Sequence, residues 1–159
     1  MSDAPLWYFA YGSNMSGAIL RGRRGLDPLA CRPALLPGYR LVFTLPIGPG
    51  ERGVANVQPV AGGSTCGVLY LLSAADCDRL DRTEGVPSGV YRRLAVEVTA
   101  ADGERVPAFT YQSTFREEHR KPSARYLGLL LAGCREHCLP DEWVAYLEAL
   151  PLAVDERLA

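Results

Sequence analysis

The 159-residue sequence predicts an α+β fold with a mixed or antiparallel, barrel-like sheet and flanking helices. Three observations carry this. Segments of strand composition come in runs instead of alternating one for one with helices. One helical segment, beginning at Ser73, is embedded among them, and two more close the C-terminal third. A doubly wound sheet would need a helical crossover between its parallel strands. The length fits one domain, 1–159, large enough to bury a core without staples.

Leu6 to Tyr11 is apolar and aromatic and predicts the first strand. It runs into Gly12-Ser13-Asn14. Glycine admits a left-handed backbone and leaves no side chain in a ligand's way. Ser13 and Asn14 bring polar groups that also bond local backbone, and consecutive N–H groups in such a turn can form an anion-binding concavity. On spacing alone, a turn that holds no ligand fits equally well. Met15 to Leu26 reads as a short helix or turn, weakened by Gly17, Gly22 and Gly25. Pro28, Pro33 and Pro37 mark irregular chain before a strand at Tyr39–Thr44. Pro46 to Gly53 reads as a loop and Val54 to Val60 as a strand, with Pro59 at its end or on an edge. Gly62-Gly63 reads as a turn, and Cys66 to Leu72 as an apolar strand.

Ser73, with Asp76 three residues on, is a variant of the capping pattern and opens a helix to Thr83 or Glu84, with Gly85 as its C-cap. Tyr91–Ala100 and Arg105–Thr114 flank Ala101-Asp102-Gly103-Glu104 as a hairpin. Pro122-Ser123 opens a second helix from Ala124 to Glu136, with Leu127, Leu130 and Leu131 on its apolar face. Leu139-Pro140-Asp141 starts a third, from Glu142 to Leu150, which Pro151 stops.

A hydrophobic fraction of 48% and a charged fraction of 22% describe an ordinary soluble chain, and a net charge of −1 gives no bulk attraction to nucleic acid or anionic membrane. Met1 to Pro5 lead into the first strand without a leader pattern, and no apolar run approaches a membrane span. Five cysteines, odd in number and without a C-x-x-C pair, read as free thiols of a reducing cytoplasm. Arg21, Arg23 and Arg24 read as a solvated face. The two histidines, His119 and His137, form no metal-ligand spacing, even with Cys134 and Cys138 nearby. No nucleophile elbow, phosphate loop or dinucleotide fingerprint is present. The expectation is therefore no metal and no cofactor.

Glu84 is the sharpest chemical candidate. Cys77, Leu80 and Glu84 fall at i, i+3 and i+7, which places a carboxylate on the apolar face of its helix. Burial and the negative helix end both favour its protonated form. A carboxyl with a raised pKa can take and return protons near neutrality. A solvated helix-end glutamate is the ordinary alternative. Asp78 and Asp81, beside Arg79 and Arg82, read as surface charge or local bonds. Tyr8, Tyr11, Tyr91, Tyr111 and Tyr126 read mostly as core or sheet residues, with one or two lining a pocket.

Taken together, several stretches resemble the γ-glutamylcyclotransferase family. They are Tyr8-Phe9-Ala10-Tyr11-Gly12-Ser13-Asn14, Leu80-Asp81-Arg82-Thr83-Glu84-Gly85-Val86 and Ser88-Gly89-Val90-Tyr91-Arg92-Arg93, followed by Lys121 to Leu127, Ala132 to Glu136 and Leu139-Pro140. They stand in the family's order and cover nearly the whole chain. Asn14 resembles the γ-glutamyl-amino-acid branch more than the glutathione-specific one, while Tyr91 to Val98 resembles the γ-glutamylamine branch. The resemblance implies a barrel-like sheet with the pocket at the end of the first strand. It implies Glu84 as the catalytic acid/base, and Tyr8, Phe9, Ala10, Tyr11, Gly12, Ser13 and Asn14, with Tyr126, as substrate-binding residues. The implied reaction cyclises a γ-glutamyl group to 5-oxoproline and releases an amine or amino acid, in an assembly that is often a homodimer. Two other functions share this site: release of a γ-glutamyl protecting group from a specialised metabolite, and a binding module without chemistry. Arg92-Arg93 reads as exposed charge sooner than as a carboxylate clamp.

Overall fold

The computed structural model describes residues 3–154; Met1, Ser2 and the last five residues of the expected 1–159 domain lie outside the described residues. Five strands close into a barrel in the order β1-β3-β2-β4-β5. They are β1 (Leu6–Ala10), β2 (Ala30–Pro46), β3 (Gly53–Leu72), β4 (Arg92–Ala100) and β5 (Arg105–Gln112). Every pairing is antiparallel except β1 with β5, where Tyr8 opposite Phe109 closes the barrel in parallel. The sheet is thus mixed, as the sequence predicts. Phe9 and Ala10 at the end of β1 are both fully buried, so this strand is covered on both faces.

The largest departure is the β2–β3 hairpin. The sequence suggests irregular chain through Pro33 and Pro37 and two strands around Gly62-Gly63, yet two long strands pair from Ala30–Leu71 to Pro46–Gly53. The prolines fit because the ladder does not need their missing N–H. Pro33 contributes its carbonyl, which accepts from Ala101 N–H (3.3 Å). Pro37 adjoins a break in register where Gly38 alone faces Val60 to Gly63. The Gly62-Gly63 turn is therefore a bulge within one strand. Pro59 sits at its edge, opposite Tyr39.

Helix α1 (Ala74–Thr83) begins where the capping pattern places it, with Ser73 Oγ accepting from Asp76 N–H (3.1 Å). It ends at Glu84, and Gly85 follows at φ 72°, a left-handed position that suits glycine. Ser123 likewise caps α2 (Ala124–Glu136) by accepting from Tyr126 N–H (3.0 Å), and α3 (Asp141–Glu148) follows Pro140. No helix among the described residues is long and apolar enough to cross a membrane. Between β1 and β2 the chain makes a 3-10 turn at Ser13–Met15 and a π-helical turn at Ala18–Arg23. The second is a form that often marks functional sites.

Candidate active site

The end of β1, the C-terminus of α1, the start of α2 and the closed end of the β2–β3 hairpin border one cavity of about 440 Å³. Its position at the end of the first strand agrees with the expectation. Tyr8, Tyr11, Gly12, Ser13, Asn14, Glu84 and Tyr126 all line it. Phe9 and Ala10 do not. Phe9 is fully buried, and its carbonyl accepts from Thr110 Oγ1 (2.7 Å), so both residues belong to the core that holds the turn in place.

Glu84 reaches the cavity because α1 packs Cys77 and Leu80 inward, and the following turn of the same face carries the carboxylate. Its side chain is only 11% exposed. Burial raises its pKa, while the Arg24 guanidinium and the Asn14 amide pull it back toward the ionised form. Asn14 Nδ2 donates to Glu84 Oε1 (2.6 Å) and to the Tyr8 hydroxyl (3.0 Å). Asn14 Oδ1 accepts from Arg24 Nε (3.1 Å). Because arginine only donates, this contact fixes which end of the Asn14 amide faces Glu84. Arg24 is held in turn by the Thr83 carbonyl (Nη1, 3.2 Å) and lies 3.7 Å from Glu84 Oε1 through Nη2.

Gly12 does not use a left-handed backbone; its φ is −117°. The physical reason for glycine here is crowding. A Cβ at this position would lie 3.1 Å from the Tyr126 hydroxyl and 3.3 Å from Ala55 Cβ. Tyr126 stands edge-on to Phe43 (centroids 6.3 Å apart), and its hydroxyl accepts from Ala55 N–H (3.0 Å). Burial pushes its pKa up to about 12, so it is a neutral donor at ordinary pH. Tyr8 is also kept protonated, first by burial and then by the Glu84 charge. Both hydroxyls already accept from the protein, which leaves their own protons for a bound molecule.

All five tyrosines singled out in the sequence line the cavity, more than the one or two expected. Tyr91 donates to the Ala55 carbonyl (2.5 Å) and Tyr11 to the Tyr111 carbonyl (2.6 Å), so these two brace the wall. The arginine reading also changes. Arg24 is a part-buried partner of the site, and Arg23 borders the cavity. Nothing in Gly22-Arg23-Arg24-Gly25 marks Arg24, since its partners Asn14, Thr83 and Glu84 lie elsewhere in the chain. Asp81 bonds across the structure instead of locally: its Oδ1 accepts from Arg93 Nε (2.9 Å) and from the Tyr111 hydroxyl (2.5 Å). Arg93 also covers the Phe109 ring (4.5 Å), and Arg92 donates to Gln112 Oε1 (2.9 Å), so neither lines the cavity.

The sequence profile of the AIG2-like family matches residues 64–147. The chain is 31% identical to the γ-glutamylcyclotransferase of Mus musculus over 147 residues, which span 90% of this chain and 77% of that protein. It is 35% identical to the γ-glutamyl cyclotransferase verK of Clonostachys rogersoniana, over 80% of this chain and 87% of that one. Among solved structures, a γ-glutamyl cyclotransferase superimposes with a TM-score of 0.85 at 25% identity, covering 98% of this chain and 94% of the other.

Proposed function

The chain belongs to the AIG2-like family of γ-glutamylcyclotransferase relatives, and we propose that its cavity cyclises the γ-glutamyl group of a small amide or peptide to 5-oxoproline, with Glu84 as general acid/base. The observation that carries this reading is the Glu84 carboxylate. It is nearly buried, it faces the cavity, and burial raises its proton affinity while Arg24 and Asn14 oppose the shift.

In this reaction the substrate brings its own nucleophile. The α-ammonium gives a proton to Glu84, and the freed amine attacks the γ-carbonyl carbon to form the five-membered ring. The amide C–N bond then breaks. Two protons leave the ring nitrogen overall and two reach the departing nitrogen, so one carboxylate that shuttles them ends unchanged. Because attacker and target are tethered, holding the folded conformer supplies much of the acceleration. Gly12, Ser13 and Asn14 line the cavity with Glu84, and the glutamyl head would sit against that turn. The Tyr8 and Tyr126 hydroxyls have protons to offer to substrate oxygens, including the carbonyl oxygen as it gains charge. A binding module would be served by a fully ionised carboxylate opposite the α-ammonium, whereas burial raises the proton affinity of Glu84, which favours catalysis.

Incubation with a panel of γ-glutamyl amino acids, peptides and amines, with 5-oxoproline as the readout, tests this. Turnover of at least one compound by the wild type is expected, with Glu84→Gln folded and inactive. Silence across the panel, or full activity in the Gln variant, would overturn the reading.

A further inference from the structure

We propose that Arg52 binds a carboxylate on the acceptor half of the substrate, so that the protein prefers γ-glutamyl amino acids and peptides to uncharged γ-glutamyl amides and amines. The inference deepens the cyclotransferase reading and rests on it. Charge around the cavity comes first. Arg23, Arg24 and Arg52 line it, against Glu84 as the one carboxylate among the lining residues. A γ-glutamyl head carries one ammonium and one carboxylate, net zero, and leaves this excess in place. Arg24 is already committed to Asn14, Thr83 and Glu84.

Arg52 stands apart from Arg23 and Arg24. Its Nε is fully buried and has no hydrogen-bond partner. No ion pair among the described residues holds the guanidinium, and its terminal nitrogens, unlike Nε, are left to meet an oxygen from the cavity. The neighbouring acid, Glu51, accepts instead from Lys121 Nζ (3.2 Å) and Val154 N–H (2.8 Å). Arg52 is also held in place. Its carbonyl accepts from Arg120 Nη1 (2.6 Å) and from Ile47 N–H (3.3 Å), and Arg120 is itself paired with Glu117 (2.9 Å). On either side, Gly53 N–H donates to the Lys121 carbonyl (2.9 Å) and Lys121 N–H to the Glu51 carbonyl (2.6 Å). The residue 47–52 connection is therefore pinned at its root, and the guanidinium stands at the cavity wall without an internal acid. A planar donor in that state is matched by a carboxylate. Glu84 and the Gly12 turn follow α1 and β1, whereas Arg52 belongs to the connection of the β2–β3 hairpin, so the glutamyl head and the acceptor end fall to different elements.

The test uses two substrates that differ in one group, γ-glutamyl-alanine and γ-glutamyl-alaninamide, with kcat and KM read from 5-oxoproline release. The wild type is expected to show a KM roughly 10- to 100-fold lower for the acid, the range of a charge-assisted hydrogen bond. Arg52→Gln should raise the KM for the acid until the discrimination falls to near unity, and Arg52→Lys should restore part of it. Equal KM values in the wild type, with both compounds turned over, would overturn the role of Arg52 and leave the lyase reading standing. So would a rise by the same factor for both compounds in Arg52→Gln, which would mark damage to the hairpin. No 5-oxoproline from either compound or from the wider panel would overturn both.

Discussion

Two acids near the end of α1, Asp81 and Glu84, stand one turn apart and meet opposite fates. Asp81 faces the β4–β5 wall, where Arg93 and Tyr111 both donate to a single oxygen at 2.9 and 2.5 Å. Glu84 faces the cavity, where its closest donor is the neutral Asn14 amide and the nearest guanidinium stands off at 3.7 Å. Asp81 is thus tied into the scaffold. Glu84 is buried with incomplete compensation, and its proton affinity rises. The type of acid and the helix do not separate the two; the distance and charge of the donors do. A close cation makes a structural tie, and a distant one leaves a proton carrier.

The largest effect that would break this contrast is loss of the proposed proton carrier. Glu84→Gln keeps an oxygen for Asn14 Nδ2 but cannot shuttle protons, so kcat should fall roughly 10²–10⁴-fold. The fold should stay intact by circular dichroism. Removing the tie should have the reverse signature. Asp81→Ala strands the Tyr111 hydroxyl and the Arg93 guanidinium and should cost about 2 kcal/mol in urea denaturation. The folded fraction should keep turnover within a few-fold of the wild type under native conditions, on the order of a minor positional change. A catalytic collapse in Asp81→Ala without loss of stability would sink the division of labour.

Most of what makes this contrast was legible in the sequence on one side only. The i, i+3, i+7 spacing of Cys77, Leu80 and Glu84 placed the carboxylate on a buried face, because helical periodicity is local. Ser73 and Gly85 bounded that helix for the same reason. Asp81 was misread because its sequence neighbour Arg82 is exposed, while its true partners arrive on β4 and β5. Arg24 was hidden in a glycine-rich stretch for the same cause: its contacts lie ten, 59 and 60 residues away, at Asn14, Thr83 and Glu84. The long β2–β3 hairpin escaped because Pro37, Gly38 and Gly62-Gly63 carry turn signals that the structure uses for a bulge. Phe9 and Ala10 were drawn into the binding set by a contiguous motif, although only part of a strand end can face one cavity.

A smaller change sharpens the comparison from the side of Arg24. Its positive charge lowers the Glu84 pKa, so Arg24→Gln should raise it further. A general base must be ionised before it acts, and the acidic limb of kcat/KM should therefore move to higher pH in the variant. A purely structural role for Arg24 would lower the whole profile without moving that limb, which distinguishes the two outcomes in one titration.

The smallest expected effect concerns stability and has a defined sign. Folding raises the Glu84 pKa above its ordinary 4.5, so the folded state binds the proton more tightly than the unfolded chain. The contribution of that proton is fully present below about pH 4.5. It is lost as pH rises through the folded-state value, and the ionised side chain then weighs against the fold. Glutamine carries no such proton. Relative to Glu84→Gln, the wild type should lose stability across that window and reach a plateau above it, as read from urea midpoints at a series of pH values. Asp81 supplies the control, because Glu84→Gln leaves its contacts with Arg93 and Tyr111 in place. The Gln variant should therefore be the more stable protein at neutral pH and the less active one, which is the expected conflict where catalysis requires a poorly compensated charge. A wild type that gains on the variant as pH rises would mean that Asn14 and Arg24 overcome burial, and Glu84 would then be a tie like Asp81.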